Sequence, residues 1–82
     1  MKPNNVVVLM GGISPEREIS LRSGNAVARA LKEAGFNVTC IDVKDEKIEE
    51  LDHMDIDVAF IALHGYFGED GGVQQLLESK GI

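Results

Sequence analysis

Five consecutive apolar residues, Val6 to Met10 (VVVLM), run into a glycine pair, Gly11-Gly12. Three of the five are β-branched, and the run is too short for an ordinary buried helix, so it predicts a strand with both faces covered. A strand buried on both faces belongs to a parallel sheet with helices packed on each side. The rest of the chain agrees with that architecture.

Ser14 is a suitable helix N-cap and Pro15 suits a first helical position. From Pro15 to Ala34 apolar and small residues recur at helical spacing, with Ile19, Ser23, Val27, Ala30, Leu31 and Ala34 expected to face inward. Gly24 weakens such a helix and is expected to let it sit close to the sheet. Gly35 closes it. Asn37 to Val43 predicts a second strand. DEKIEELDHM predicts a short, mostly polar helix with Ile48, Leu51 and Met54 inward, and Asp57 to Leu63 a third buried strand. HGYFGEDGG, from His64 to Gly72, is too rich in glycine for a regular element. Val73 to Lys80 predicts a last helix with Leu76 and Leu77 inward, Gly81 caps it, and Ile82 reads as the start of a further strand. The order β-α-β-α-β-α, with right-handed crossovers, puts the first strand in the centre of a parallel sheet of at least three strands.

The chain's 82 residues suffice for one small domain. Its net charge of −6 argues against nucleic acid or an anionic membrane surface as partner, because both call for clustered Lys and Arg. The apolar run near the N-terminus is too short for a signal peptide, and no segment is long enough to span a bilayer. The single cysteine, Cys40, has no internal partner and is expected to be a small buried hydrophobe. The absence of a disulfide framework fits a reducing, cytoplasmic setting.

In sheets of this kind ligands bind beyond the carboxyl ends of the strands. Two unusual loops belong there, GGISPE after strand one and HGYFGEDGG after strand three. The first has helix N-terminal N–H groups that favour an anion. Asp42, at the end of strand two, mimics the ribose-binding acid of dinucleotide sites, but Ile13 occupies the position of that motif's second glycine, so a pyrophosphate has no clear seat. Glu16 is either a favourable first-turn charge or a carboxylate kept ionised to bind an ammonium. Arg17 and Glu18 read as surface or ion-pair residues. His64 ends strand three at the same edge, where an imidazole is either structural or a hydrogen-bonding partner for a ligand. His53 reads as solvated. Glu69 and Asp70 lack a third ligand and make a weak metal signal, so a turn or N-cap role suits Asp70 better. From the residues alone, three readings stay open: an enzyme, a small α/β module that binds an amino acid or nucleotide without catalysis, and a structural domain whose sheet edge docks a partner.

The two loops together resemble the N-terminal domain of the D-alanine–D-alanine ligases of the ATP-grasp superfamily. VVLMGGISPEREISLRSG is similar to that family's G-G-x-S-x-E-R-E-V/I-S pattern, and FIALHGYFGEDGGVQQLLE to its H-G-x-x-G-E-D-G pattern. The resemblance covers the whole chain, including the spacing between the loops. Gln75 departs from it, standing where a small residue is usual. The implied fold is the small Rossmann-like (pre-ATP-grasp) three-layer α/β domain.

The resemblance also implies a reaction. ATP, with magnesium, phosphorylates the carboxylate of one D-alanine, and the amine of a second attacks the acyl phosphate; the dipeptide enters peptidoglycan. By this resemblance Glu16 is the catalytic glutamate that holds the ammonium of the first D-alanine, His64 lies near the same substrate, and Ile19 lines the methyl pocket. ATP and Mg2+ are implied to bind to later domains, the full-length protein to be a homodimer, and residues 1–82 to be a substrate-side domain that is inactive alone. A related ligase that takes a different second substrate, such as D-lactate, fits the same motifs.

Overall fold

The computed structural model describes residues 5–12, 15–45, 47–63 and 72–82. Its elements are β1 (Asn5–Gly11), α1 (Arg17–Glu33), β2 (Asn37–Val43), a 3-10 helix (Glu49–His53), β3 (Val58–Ile61) and α2 (Gly72–Ser79). The sheet is parallel, in the order β2-β1-β3, so the first strand is central as expected. In the register Val8 faces Cys40 on one side and Phe60 on the other.

Alternation along β1 divides the interior into two layers. Val7 and Leu9 join Ile41, Val43, Ile48, Leu51, Leu63, Val73 and Leu77 beneath the 3-10 helix and α2. Val8 and Met10 join Ala28 and Ala62 beneath α1, with Leu21, Val27, Leu31, Val38 and Cys40 packed around them. The result is a three-layer α/β domain whose central strand is buried on both faces. Cys40 is half-buried rather than buried, because β2 is an edge strand.

Helix α1 differs from expectation in start and phase. It begins at Arg17; Pro15 and Glu16 form a turn ahead of it, and Ser14 lies outside the described residues. The buried row is Ser20, Gly24 and Ala28, at a spacing of four, whereas Ile19, Ala30 and Ala34 are exposed. Small residues hold the contact because the helix approaches the sheet closely: a Cβ at Gly24 would stand 2.5 Å from the Cβ of Met10. The expected role of Gly24 is therefore met.

The segment expected as a short helix is a 3-10 turn. Ile48 and Leu51 are buried and Met54 half-buried, three residues apart each time, which suits three residues per turn. β3 is shorter than expected and only partly buried. Val58 and Phe60 are 48% and 43% exposed, because α1 lies over β1 and β2 and leaves the same face of β3 uncovered. In α2, Leu77 is buried and Leu76 half-buried, as expected; Ile82 packs on the same layer, its N–H donating to Leu77 O at 3.0 Å.

Candidate functional site at the carboxyl edge of the sheet

The carboxyl ends of β1 and β3 are tied to one point, the hydroxyl of Ser20. Ser20 is fully buried in the first turns of α1. Its Oγ accepts from the Gly11 N–H at 2.9 Å and donates to Ala62 O at 2.5 Å. Its own N–H donates to Glu16 O at 3.0 Å, the first bond of the helix. One residue thus joins the turn after β1 and the end of β3 through its hydroxyl, and the residue at the head of α1 through its backbone. A buried hydroxyl is tolerated only when its polar capacity is used, and here both donor and acceptor are. The ladder continues on either side: Gly12 N–H donates to Val43 O and Ala62 N–H to Leu9 O, both at 2.9 Å.

The Gly11-Gly12 turn has φ angles of +83° and +91°, a region that side chains other than glycine rarely adopt. It is also crowded from outside. The Arg17 guanidinium, from the first turn of α1, grips the Asp42 carboxylate with both nitrogens: Nη1 donates to Oδ1 at 2.5 Å and Nη2 donates to Oδ2. Nη1 also reaches Gly12 O at 3.4 Å. A Cβ at Gly11 would lie 2.3 Å from Asp42 Oδ1 and 2.8 Å from Arg17 Nη1. The hydrogen bond from Arg17, and its charge, hold the Asp42 carboxyl below its usual range and raise the guanidinium in turn.

Arg17 is an ion-pair residue, within the expectation. Asp42 has the position of a ribose acceptor, but both its oxygens are taken by Arg17. The first glycine makes room for that pair, so the turn is not an open cradle for phosphate.

Glu16 stands immediately before α1 in the capping position, exposed, at the edge where ligands bind such sheets. Ile19, also exposed at 59%, is on the same first turn. His64, Glu69 and Asp70 lie outside the described residues. Ala62 and Leu63, which lead to His64, are buried beside the Gly11-Gly12 turn: a Cβ at Gly12 would stand 3.2 Å from Leu63 Cδ2. His53 ends the 3-10 helix and is exposed, as expected. Among the described residues no three His, Cys, Asp or Glu side chains form a metal-binding group.

Ser20 and the Arg17–Asp42 pair escaped the sequence reading. The row Ser20, Gly24, Ala28 was a signal available for Ser20, since small residues four apart mark a close helix face. Nothing local joins Arg17 to Asp42, which are 25 positions apart.

The family description "D-ala D-ala ligase N-terminus" matches residues 5–48. The D-alanine–D-alanine ligase of Syntrophotalea carbinolica is 51% identical over 82 residues, which is all of this chain and 27% of that protein. That of Desulforudis audaxviator is 56% identical over 75 residues, covering 92% of this chain and 24% of the relative. Among solved structures, the Bacillus anthracis D-alanine–D-alanine ligase complexed with ATP superposes with a TM-score of 0.86 at 36% identity, over 100% of this chain and 27% of that one. The chain therefore spans about a quarter of the length of these relatives. Central β1, the glycine turn, Glu16 at the head of α1 and these matches agree: the chain belongs to the D-alanine–D-alanine ligase family, as its N-terminal part.

Proposed function

We propose that this chain is the substrate-side domain of an ATP-dependent ligase that joins two D-alanines through an acyl phosphate to supply peptidoglycan synthesis in the cytoplasm. The observation that carries the reading is Glu16, placed by α1 at the carboxyl edge of the sheet within a chain of this family. An ionised carboxylate there accepts hydrogen bonds from the ammonium of the first D-alanine. Holding that zwitterion at its ammonium end fixes its own carboxylate for activation, and positioning of this kind makes the later attack effectively unimolecular. His64 is assigned to the same substrate by its place in the H-G-x-x-G-E-D-G motif. Ile19 offers the methyl group an apolar wall.

Bound ATP, with Mg2+, supplies the phosphoryl group that activates the carboxylate. The described residues do not fit either group: the Gly11 turn is filled by the Arg17–Asp42 pair, and Asp42 is engaged. Nucleotide and metal are assigned to the central and C-terminal domains, the full-length protein to a homodimer, and neither nucleic acid nor membrane to its partners.

The test compares two proteins. One is the 82-residue chain. The other is a chimera of this chain with the remaining part of the Syntrophotalea carbinolica ligase. Phosphate release from ATP with D-alanine and magnesium is expected from the chimera and not from the chain alone. Turnover by the chain alone overturns the assignment of nucleotide chemistry to later domains; a folded chimera without D-alanyl-D-alanine product overturns the ligase reading.

A further inference from the structure

We propose that Arg17 and Asp42 are positioning residues of the site: Asp42, at the end of β2, clamps Arg17 over the Gly11-Gly12 turn and thereby sets where Glu16, immediately before α1, is held. The inference rests on the ligase reading of Glu16 and adds two residues to it.

Glu16 is tied to α1 through its backbone. Its carbonyl accepts from Ser20 N–H, which fixes its height along the helix. The Arg17 side chain adds a tie of a different kind, from the head of α1 to the turn and to β2. It is bonded to the next residue in the chain, so its Cα is about 3.8 Å from that of Glu16. Its guanidinium reaches across the turn to a different strand and meets a carboxylate in two-pronged geometry, which fixes direction as well as distance. Its contact with Gly12 O ties the same group to the turn itself.

Placement of the pair says the same. Both side chains are partly exposed, at 39% and 35%, so the pair is a poor stabilising device. Yet it occupies the one space beside Gly11 that any side chain there would fill. An ordinary surface ion pair has no need of a glycine beneath it. A pair that must cross over the turn to reach the head of α1 does.

The inference is tested by steady-state kinetics on the chimera described above, with Asp42→Asn, Arg17→Gln and Arg17→Lys, at a temperature where each variant is fully folded by circular dichroism. Displacement of Glu16 by a fraction of the site is expected to lower kcat/KM for D-alanine roughly 10- to 100-fold, while KM for ATP stays within about twofold of the parent. Arg17→Lys keeps the charge and loses the fork, so it is expected to fall with the others. Parent-like kcat/KM in Asp42→Asn and Arg17→Gln, or in Arg17→Lys alone, overturns the proposal. An equal rise in KM for ATP also does, because it shows general damage. An inactive parent chimera counts against the ligase reading instead. The clamp is then judged on the 82-residue chain by NMR: Asp42→Asn is expected to move the Glu16 and Arg17 amide signals and to leave those of Val7 and Val8 in place, and unmoved Glu16 and Arg17 signals overturn it.

Discussion

Gly24 of α1 lies directly over Met10 of β1, so close that a Cβ on the glycine would stand 2.5 Å from the Met10 Cβ and 2.6 Å from its sulfur. The sulfur could swing away, but the Cβ is fixed to the central strand. Gly24→Ala therefore has to push α1 off the sheet. Alanine improves helix propensity by about 1 kcal/mol, while overpacking costs about 1–3 kcal/mol. We expect a net loss of up to about 2 kcal/mol in urea denaturation on these grounds. Asn25→Ala, on the exposed face next to it, is expected to be neutral or slightly stabilising.

Ser20→Ala removes the hydroxyl that joins Gly11 to Ala62. A buried N–H and a buried carbonyl then lose their partner, and each such loss costs about 1–3 kcal/mol. We expect a destabilisation of about 2–3 kcal/mol, with faster hydrogen exchange at the Gly11 amide as its local sign. An unchanged exchange rate at Gly11 would show that water or a neighbour replaces the hydroxyl.

Gly11→Ala is unfavourable for two separable reasons. Its φ of +83° disfavours a side chain by about 1–2 kcal/mol, and the new methyl collides with Asp42 Oδ1. Adding Asp42→Ser shortens the colliding side chain. The double variant is expected to be more stable than the sum of the single changes predicts, because neighbours that share a clash are not additive. Strict additivity in a denaturant titration would mean that the backbone angle alone carries the cost.

Much of this was legible along the chain, where the signals are local and periodic. VVVLM foretold a strand buried on both faces, and the β-α alternation its central place. The helix face was misjudged at Ile19, Ala30 and Ala34, because periodicity was weighed by hydrophobicity. The closest contact is made instead by Ser20, Gly24 and Ala28, whose merit is small size. Phe60 reads as a core residue, but whether a strand face is covered depends on where α1 lies, which its own sequence does not contain. The Arg17–Asp42 pair is of the same kind. Asp42 carries the local signature of a ribose acceptor, and only the pairing of β1 with β2 brings it beneath Arg17.

Glu16→Gln tests the carboxylate in the chimera with the ligase's remaining part. Glutamine keeps the size and the hydrogen-bonding reach but gives up the charge that an ammonium selects. Loss of about 2–4 kcal/mol of transition-state stabilisation is expected, as for other preorganised electrostatic contacts, read as a drop in kcat/KM for D-alanine. Near-parent kinetics would remove Glu16 from the catalytic residues.

Acid should loosen the carboxyl edge before the core. Two carboxyls of the described chain have folded pKa values below the unfolded 3.8: Asp42, through the hydrogen bond and charge of Arg17, and Asp45, through the N–H groups of Ile48 and Lys47 at 3.0 and 2.9 Å. A depressed acid stabilises the fold while the pH is above its unfolded value. That contribution is lost as the pH falls through 3.8 toward the lower folded value, where both states become protonated. Arg17 has the opposite sign, with its raised value affecting stability only in strong alkali. The urea midpoint should therefore be level from about pH 7 to 5 and fall below about pH 4. Because Asp42 and Arg17 are partly exposed, Asp42→Asn should lower the neutral midpoint slightly and make the acid decline shallower by the same small amount. Asp45→Asn should act likewise, and an acid decline of unaltered slope in both variants would place its source in other carboxylates.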